Sequence, residues 1–460
     1  MVSIKASYVV TPKEETPKGL FCLSESDQIW RWSHTATIYV YNNNNNDVNM
    51  NVDELVQRMR DSLSHLLVHY YPLCGRLSWT EGGRLQMDCN TKGVILIQAE
   101  STKSIDEYGE FSPNDDAIKE LIPNLDYSKP IEDIPLFLAQ VTKFHGDGNA
   151  IAIATAISHT MSDGVSRTQF NNSWAKLARG GALGPDELPF IDRMVFTSSS
   201  LPALRRFDHP EFKPPPLILG RTDNIEEQKK SRREARFKLT AEQVQKLKQK
   251  AHIGGDSESM QRPVSRFEAI GAHIWRCACM ARGLDKSQPT LAKTMVNVRN
   301  KVNPPLPKNY FGNAIASTVT STCCVGDIIS EPLGYTAKKI REAVERVSND
   351  EYIRSQLEHI AEVQDGMDSI RTQFLEKGEY KANASFYGNP NIVLGSWTHF
   401  PVYETDFGWG KPNYFGPTYV SPFDMGIVAP SPDGDDGSVL VLLCFQIEHM
   451  DKFIKHFWDI

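Results

Sequence analysis

Long apolar runs are missing from this sequence. No stretch approaches the ~20 apolar residues that span a bilayer. The start, MVSIKASYVVTPKEETPKG, is interrupted by charge and lacks a small-residue cleavage site, so neither a leader peptide nor membrane insertion is expected. The eight cysteines are scattered and never form Cys-x-x-Cys, which argues against a structural metal or a redox pair. Free thiols suit a reducing compartment, so a cytoplasmic location is expected and the sequons at Asn171 and Asn383 would go unused. Excess positive charge is absent too. A net charge of −7 speaks against a nucleic-acid partner, whose binders concentrate Lys and Arg. No Gly-x-Ser-x-Gly elbow supports a hydrolase, since Ser166 in GVSRT lacks the second glycine. No Gly-x-x-x-x-Gly-Lys loop is present to cradle phosphates.

What remains is a chain of 460 residues, 40% hydrophobic and 23% charged, which is enough to build two or three ordinary domains. Ile38 to Tyr41 reads as a short strand, and the asparagine run Asn42 to Asn46 as a surface loop. Leu55, Met59, Leu63 and Leu66 recur at helical spacing until Pro72. His65 and His69 on this helix have metal-ligand spacing but no third ligand nearby, so a solvated face is expected and no metal site. RLQMDC and GVILIQAE read as strands joined by a turn at Thr91 to Gly93. PLFLAQVTKF and NAIAIATAIS are apolar strand-like runs separated by HGDG, a hairpin turn. HTMSDG follows, and then a helix closed by Gly180 and Gly181. Proline-rich HPEFKPPP excludes helix and interior strand, which predicts a crossover at 201–225 between halves at 1–200 and 226–460. Thr240 and Gln243 form a capping box before QVQKLKQKA, and VSRFEAIGAHIWRCACMARG is a further helix. Helix is also expected over 333–347 and 350–374, with a last short helix in DKFIKHFWDI after the strand SVLVLLCFQI. There is no internal repeat.

Two His-x-x-x-Asp spacings occur. His252 and Asp256 lie in a polar, glycine-rich stretch and read as an exposed helix end. His159 and Asp163 follow AIAIATAI, eight residues that belong in an interior. A histidine leaving a buried strand either faces a cleft or is a satisfied core residue, and those residues alone do not separate the two. Histidine suits proton transfer because its ordinary pKa of ~6.5 is near working pH. Gly164 permits close backbone approach. A second cluster, Asp406-Phe407-Gly408-Trp409-Gly410, has two glycines around a tryptophan and reads as a tight structural turn.

HTMSDG at 159–164 together with DFGWG at 406–410, in that order and about 240 residues apart, resembles the BAHD family of plant coenzyme A-dependent acyltransferases. YPLCGRL (71–77), LIPNLDYS (121–128), NYFGNA (309–314) and SWTHFPVYETDFGWGKP (396–412) agree, so the resemblance covers the whole chain. The hydroxycinnamoyl transferases, and among them the spermidine hydroxycinnamoyl transferases, are most similar, through PIEDIPLFLAQVTKF, ISHTMSDGVS, HPEFKPPPLILGRTDN and SPDGDDGSVLVLLCFQIEHM.

The resemblance implies an α/β (α+β) fold of two chloramphenicol-acetyltransferase-like domains. Each is a mixed sheet flanked by helices, with a solvent channel between them, and 375–400 returns to the first. It implies a monomer with no bound cofactor, using a hydroxycinnamoyl-coenzyme A thioester as donor and spermidine as acceptor. His159 matches the general base. Asp163 matches a structural aspartate paired with an arginine, here Arg299, although the usual Asp-Gly-Arg reads Asn297-Val298-Arg299. Trp397 matches an oxyanion donor, and His34 a residue lining the acceptor side. Relatives carry Thr where this chain has Gly395. Shikimate-using relatives carry an acceptor-holding arginine where Ala382 falls, beside Lys381, and this loss weighs against the rival shikimate or quinate ester-forming reading. Ser265 and the helix start after it are expected to offer backbone donors to a phosphate. The 406–410 turn is expected to be structural.

Overall fold

The computed structural model describes residues 1–30, 34–42, 52–109, 111, 116–145, 150–197, 207–252, 262–362, 386–418, 424–433 and 436–460. The chain forms two compact units. The first comprises Met1–Thr197, Leu306–Ala314 and Phe400–Tyr419; the second comprises Ser198–Pro305, Ile315–His399 and Val420–Ile460. The strands of the two main sheets are β1 (Val2–Val10), β2 (His34–Tyr41), β3 (Val94–Ser101), β4 (Phe137–Phe144), β5 (Ile151–Ser158), β6 (Arg232–Leu239), β7 (Ala292–Asn297), β8 (Ile315–Val319), β9 (Ile392–Ser396), β10 (Tyr414–Pro417), β11 (Met425–Pro430) and β12 (Val439–Gln446). The longer helices are α1 (Val52–His69), α2 (Gly164–Ala178), α3 (Ala241–His252), α4 (Arg266–Arg282), α5 (Leu333–Arg346), α6 (Asp350–Glu362) and α7 (Ile447–Phe457). Among the described residues no helix is long and apolar enough to cross a membrane.

The first unit is built on a six-stranded sheet in the order β1-β3-β4-β5-β2-β10. β3 and β4 run parallel and the other neighbours antiparallel, so the sheet is mixed. All eight residues of β5 are buried, as a strand with partners on both sides and packing on both faces should be. Leu55, Met59, Leu63 and Leu66 of α1 are all buried. The indole of Trp174 on α2 donates to Met59 O (3.1 Å) and Ser62 Oγ (3.2 Å), which locks the two helices together.

The second unit carries a mixed six-stranded sheet, β8-β7-β9-β11-β12-β6, covered by α4, α5 and α7. β7, β9 and β11 run parallel and the remaining pairs antiparallel. Thr240 and Gln243 make the expected reciprocal cap on α3.

Two local expectations change, and one strand was not anticipated. The strands on either side of Thr91–Gly93 do not pair with each other. Leu85–Asp88 joins Arg76–Trp79 and Leu20–Phe21, while β3 pairs with β1 and β4. β1, which the broken apolar pattern concealed, is an edge strand mostly open to solvent, with Lys5 paired to Glu100 at its rim. The return to the first unit is made by Phe400–Tyr419 rather than by 375–400: β9 belongs to the second sheet through its ladders with β7 and β11, and β10 pairs with β2. The asparagines after Asn42, most of the HGDG turn, Asp256, Asn383 and the helix expected beyond Glu362 lie outside the described residues.

Candidate active site

β5 ends at Ser158, and the next five residues turn before α2 begins. His159 is therefore the first residue free of the sheet ladder. His34, the first residue of β2, pairs in register with Ser158, so both histidines lie at the same end of the same strand pair. His159 keeps part of its surface accessible. Its ring lies flat on the indole of Trp30, with centroids 3.8 Å apart and planes 7° from parallel. Its Nδ1 is buried without a hydrogen-bond partner among the described residues. Burial, and then the charge of Arg167, push its pKa down to about 4, against smaller upward effects of its own backbone, Asp163 and Asn313. The ring is thus neutral at pH 7, in the form that accepts a proton.

Asp163 does not serve this ring. One carboxylate oxygen caps α2 by accepting from Ser166 N (2.9 Å), and the other accepts from Ala314 N (3.0 Å). It is a buried staple between the HTMSDG loop and the 306–314 segment. Ser166 Oγ adds to this staple, accepting from Gly312 N at 2.9 Å. Gly164 is required where it stands, because a Cβ there would lie 2.4 Å from the ring of Phe400.

Sequence reasoning did not find Trp30, Asn313, Asp27 or Arg193. The Asn313 amide donates to His159 O (2.8 Å), Thr160 O (3.1 Å) and Asp27 Oδ1 (2.9 Å). Arg193 Nη2 donates to Met161 O (2.9 Å). The NYFGNA motif flagged the Asn313 segment without revealing what it holds, whereas nothing in the sequence marked the other three.

His34 is fully engaged. Its Nε2 lies 2.7 Å from Pro135 O, and Nδ1 lies 3.0 Å from Tyr127 Oη, which also receives the His34 backbone N–H. A carbonyl can only accept, so Nε2 carries the proton and Nδ1 accepts from the tyrosine. Burial lowers its pKa to about 4, outweighing the upward effect of the Pro135 bond.

The other expected residues belong to the second unit. Trp397 follows β9, donates its backbone N–H to Val428 O (2.7 Å), and packs half-buried against the cluster of Ile427, Ala429, Leu440, Leu442 and Cys444. Gly395, within β9, has room for a side chain: a Cβ would meet Met425 Cε at 3.4 Å and Ile427 Cγ1 at 3.5 Å, ordinary contacts. Arg299 is buried, and its backbone N and Nη1 both donate to Asn297 Oδ1, so Asn297 closes a turn around it. Ser265 caps α4 in a reciprocal box with Glu268, whose carboxylate is held by Arg262 and Arg341. Ala382 and Lys381 lie outside the described residues.

The 406–410 segment is a tight turn in the first unit. Asp406 Oδ1 accepts from Gly408 N (2.7 Å) and Gly410 N (2.9 Å), and both glycines have positive φ. Phe407 is buried edge-on against Trp174.

A model described as the Transferase family matches residues 1–460. The chain is 40% identical to the hydroxycinnamoyl-CoA:piscidic acid hydroxycinnamoyltransferase of Actaea racemosa over 100% of both chains. It is 34% identical to the shikimate O-hydroxycinnamoyltransferase of Nicotiana tabacum, over 100% of this chain and 99% of that one. Among solved structures it is similar to F. graminearum TRI101 complexed with coenzyme A and T-2 mycotoxin, with a TM-score of 0.75 at 19% identity over 95% of this chain and 97% of that one.

Proposed function

The chain belongs to the BAHD family of coenzyme A-dependent acyltransferases, and from that premise we propose that it transfers a hydroxycinnamoyl group from its coenzyme A thioester to an amine of spermidine, with His159 as general base. The products are a hydroxycinnamoyl amide and free coenzyme A. One observation carries the assignment of the base: a neutral, partly accessible imidazole held at the end of β5 by a fixed loop.

In this reading the amine nitrogen adds to the thioester carbonyl and His159 takes the proton that the nitrogen sheds. An imidazole with so low a pKa is a weak base in the free enzyme. For the same reason its imidazolium is a strong acid, and it passes the proton on to the departing thiolate. The indole N–H of Trp397 is assigned to the carbonyl oxygen as negative charge develops there. Asp163 is assigned a structural role, holding the loop.

The polyamine acceptor rests on the sequence, which has Ala382 where shikimate-using relatives place an arginine. A second reading, an ester-forming reaction with a hydroxy acid, draws support from the names of the 40% and 34% identical relatives. Incubation with p-coumaroyl-, caffeoyl- or feruloyl-coenzyme A and spermidine, shikimate or piscidic acid, followed by product mass, decides between them. An amine acceptor also carries its own pH dependence. Alkyl ammonium groups have pKa values of ~10, so kcat/KM for an amine rises toward alkaline pH while that for an alcohol does not. Ester product alone would remove the polyamine reading. His159→Ala should lower kcat by ~10² to 10⁴, and full turnover in that variant would remove the proposed base.

A further inference from the structure

We infer that Asn313, braced by Asp27 and Arg193, is a positioning residue for the reaction: it fixes the backbone from which His159 works. This rests on the reading of His159 as the base. β5 ends at Ser158, so the next carbonyls have no ladder partner. Three in succession are held by side chains instead, His159 O and Thr160 O by the Asn313 amide and Met161 O by Arg193 Nη2. Asp27 holds both holders. Its Oδ1 accepts from the Asn313 backbone N (3.1 Å) and amide (2.9 Å), and its Oδ2 lies 3.5 Å from Arg193 Nε. Arg193 also donates to Phe311 O, two residues before Asn313. Asp27 is in turn fixed by Ser24, whose N and Oγ donate to Oδ2 at 3.0 and 2.8 Å.

The orientation of the Asn313 amide is dictated. His159 O, Thr160 O and Asp27 Oδ1 can only accept, so the nitrogen faces all three, and the amide oxygen is left buried without a partner. Asp27, Arg193 and Asn313 are almost fully buried. A buried ion pair and an orphaned amide oxygen are poor sources of stability compared with well-packed apolar side chains. What this cluster provides is a defined position for the loop. That position decides where the imidazole sits, because the stack on Trp30 sets its plane but not its height.

The test uses Asn313→Asp and the double exchange Asp27→Asn with Asn313→Asp. In the single variant the carboxylate cannot donate to His159 O or Thr160 O. The expected result is a roughly 100-fold fall in kcat, the loss that accompanies a ~1 Å misplacement, with KM for p-coumaroyl-coenzyme A within about threefold of the parent. The double exchange re-forms a carboxylate–amide pair with the roles reversed. Its melting temperature should recover while kcat stays low, because residue 313 still has no side-chain N–H. A purely structural role predicts that the two recover together, and that outcome would overturn the inference, as would a folded single variant with kcat near the parent's. A readout independent of turnover is the ring resonances of His159 in protein labelled with ¹⁵N-histidine, assigned by their absence in His159→Ala. They should shift in both variants, and unchanged resonances would overturn the inference even if the proposed acyl transfer proved wrong. Failure of the unmodified enzyme to form any acylated product would count against the proposed function alone.

Discussion

Replacing Asp163 separates a structural carboxylate from a catalytic one. Its two oxygens accept from Ser166 N at the start of α2 and from Ala314 N in the 306–314 segment, and it is almost fully buried. Asp163→Ala removes the helix cap, costing about 1 kcal/mol. It also leaves a buried N–H at Ala314 without an acceptor, costing about 1 to 3 kcal/mol. The sum is about 2 to 4 kcal/mol for the first unit. Asp163→Asn behaves differently. Asparagine caps as well as aspartate, but its second terminal atom is a donor facing another donor. The loss should be confined to the Ala314 bond, about 1 to 2 kcal/mol. Stability should therefore fall in the order Asp, Asn, Ala. With a urea m-value on the order of 3 kcal/mol/M, the alanine variant should unfold about 1 M earlier. Because the chain has two units, hydrogen exchange across 164–178 and 310–314 should be measured alongside, to place the loss where the bonds are. Two results would refute the reasoning. One is an alanine midpoint indistinguishable from the parent. The other is an unchanged midpoint with kcat reduced ~10⁴-fold, the signature of a lost triad acid.

Three further outcomes are expected. Burial chiefly lowers the pKa of His273 to about 4, opposed by its bond to Phe457 O. Below pH ~6.5 the unfolded chain takes a proton at His273 that the folded chain refuses until about pH 4, so stability falls across that window, by about 2 kcal/mol at pH 5. Urea unfolding of His273→Gln should show a smaller loss between pH 7 and pH 5 than the parent. Gly164→Ala drives a methyl group into Phe400 and should cost about 1 to 3 kcal/mol; if Phe400→Leu in the same chain does not restore part of this in a melting experiment, the clash is not the cause. Gly395→Ala fits its strand and should raise stability by about 0.5 to 1 kcal/mol, since glycine weakens a strand interior. Product ratios with spermidine and shikimate in that variant would report whether position 395 touches the acceptor.

The parts of the fold that were legible in the sequence are those whose pattern is local. β5 is a run of apolar residues broken only by Thr155 before Ser158, α1 repeats its leucines at helical spacing, and the α3 cap is written in four residues. The position of His159, just beyond a buried run, was legible, but its role came from the resemblance of the two motifs and not from that position. The residues around it were not legible. Trp30 reaches its ring from 129 positions earlier in the chain, and Asn313 reaches its carbonyl from 154 positions later. Partners set by tertiary contact leave no periodicity to read. The two excursions of the chain into the first unit, at 306–314 and 400–419, were hidden for the same reason: each is defined by what it touches. β1 was hidden because an edge strand open on much of its surface has no buried face to impose alternation.

On the proposed reading, the arrangement around His159 lets a histidine act as base without a carboxylate partner. In a triad the acid orients the imidazole and stabilises its charged form, which raises its pKa. Here both Asp163 oxygens are spent on backbone N–H groups, and the charge with the largest effect on the ring is that of Arg167, which lowers the pKa. The imidazole is neutral because it is buried beside a cation, and it stays in place through a flat stack on one face and a tethered backbone. Such a base accumulates little imidazolium at rest and gives up a proton readily once it has taken one. A two-step proton transfer, from nucleophile to ring and from ring to leaving group, needs both properties. Moving a carboxylate toward Nδ1 would improve the first transfer while slowing the second. The buried cap at Asp163 keeps that carboxylate away.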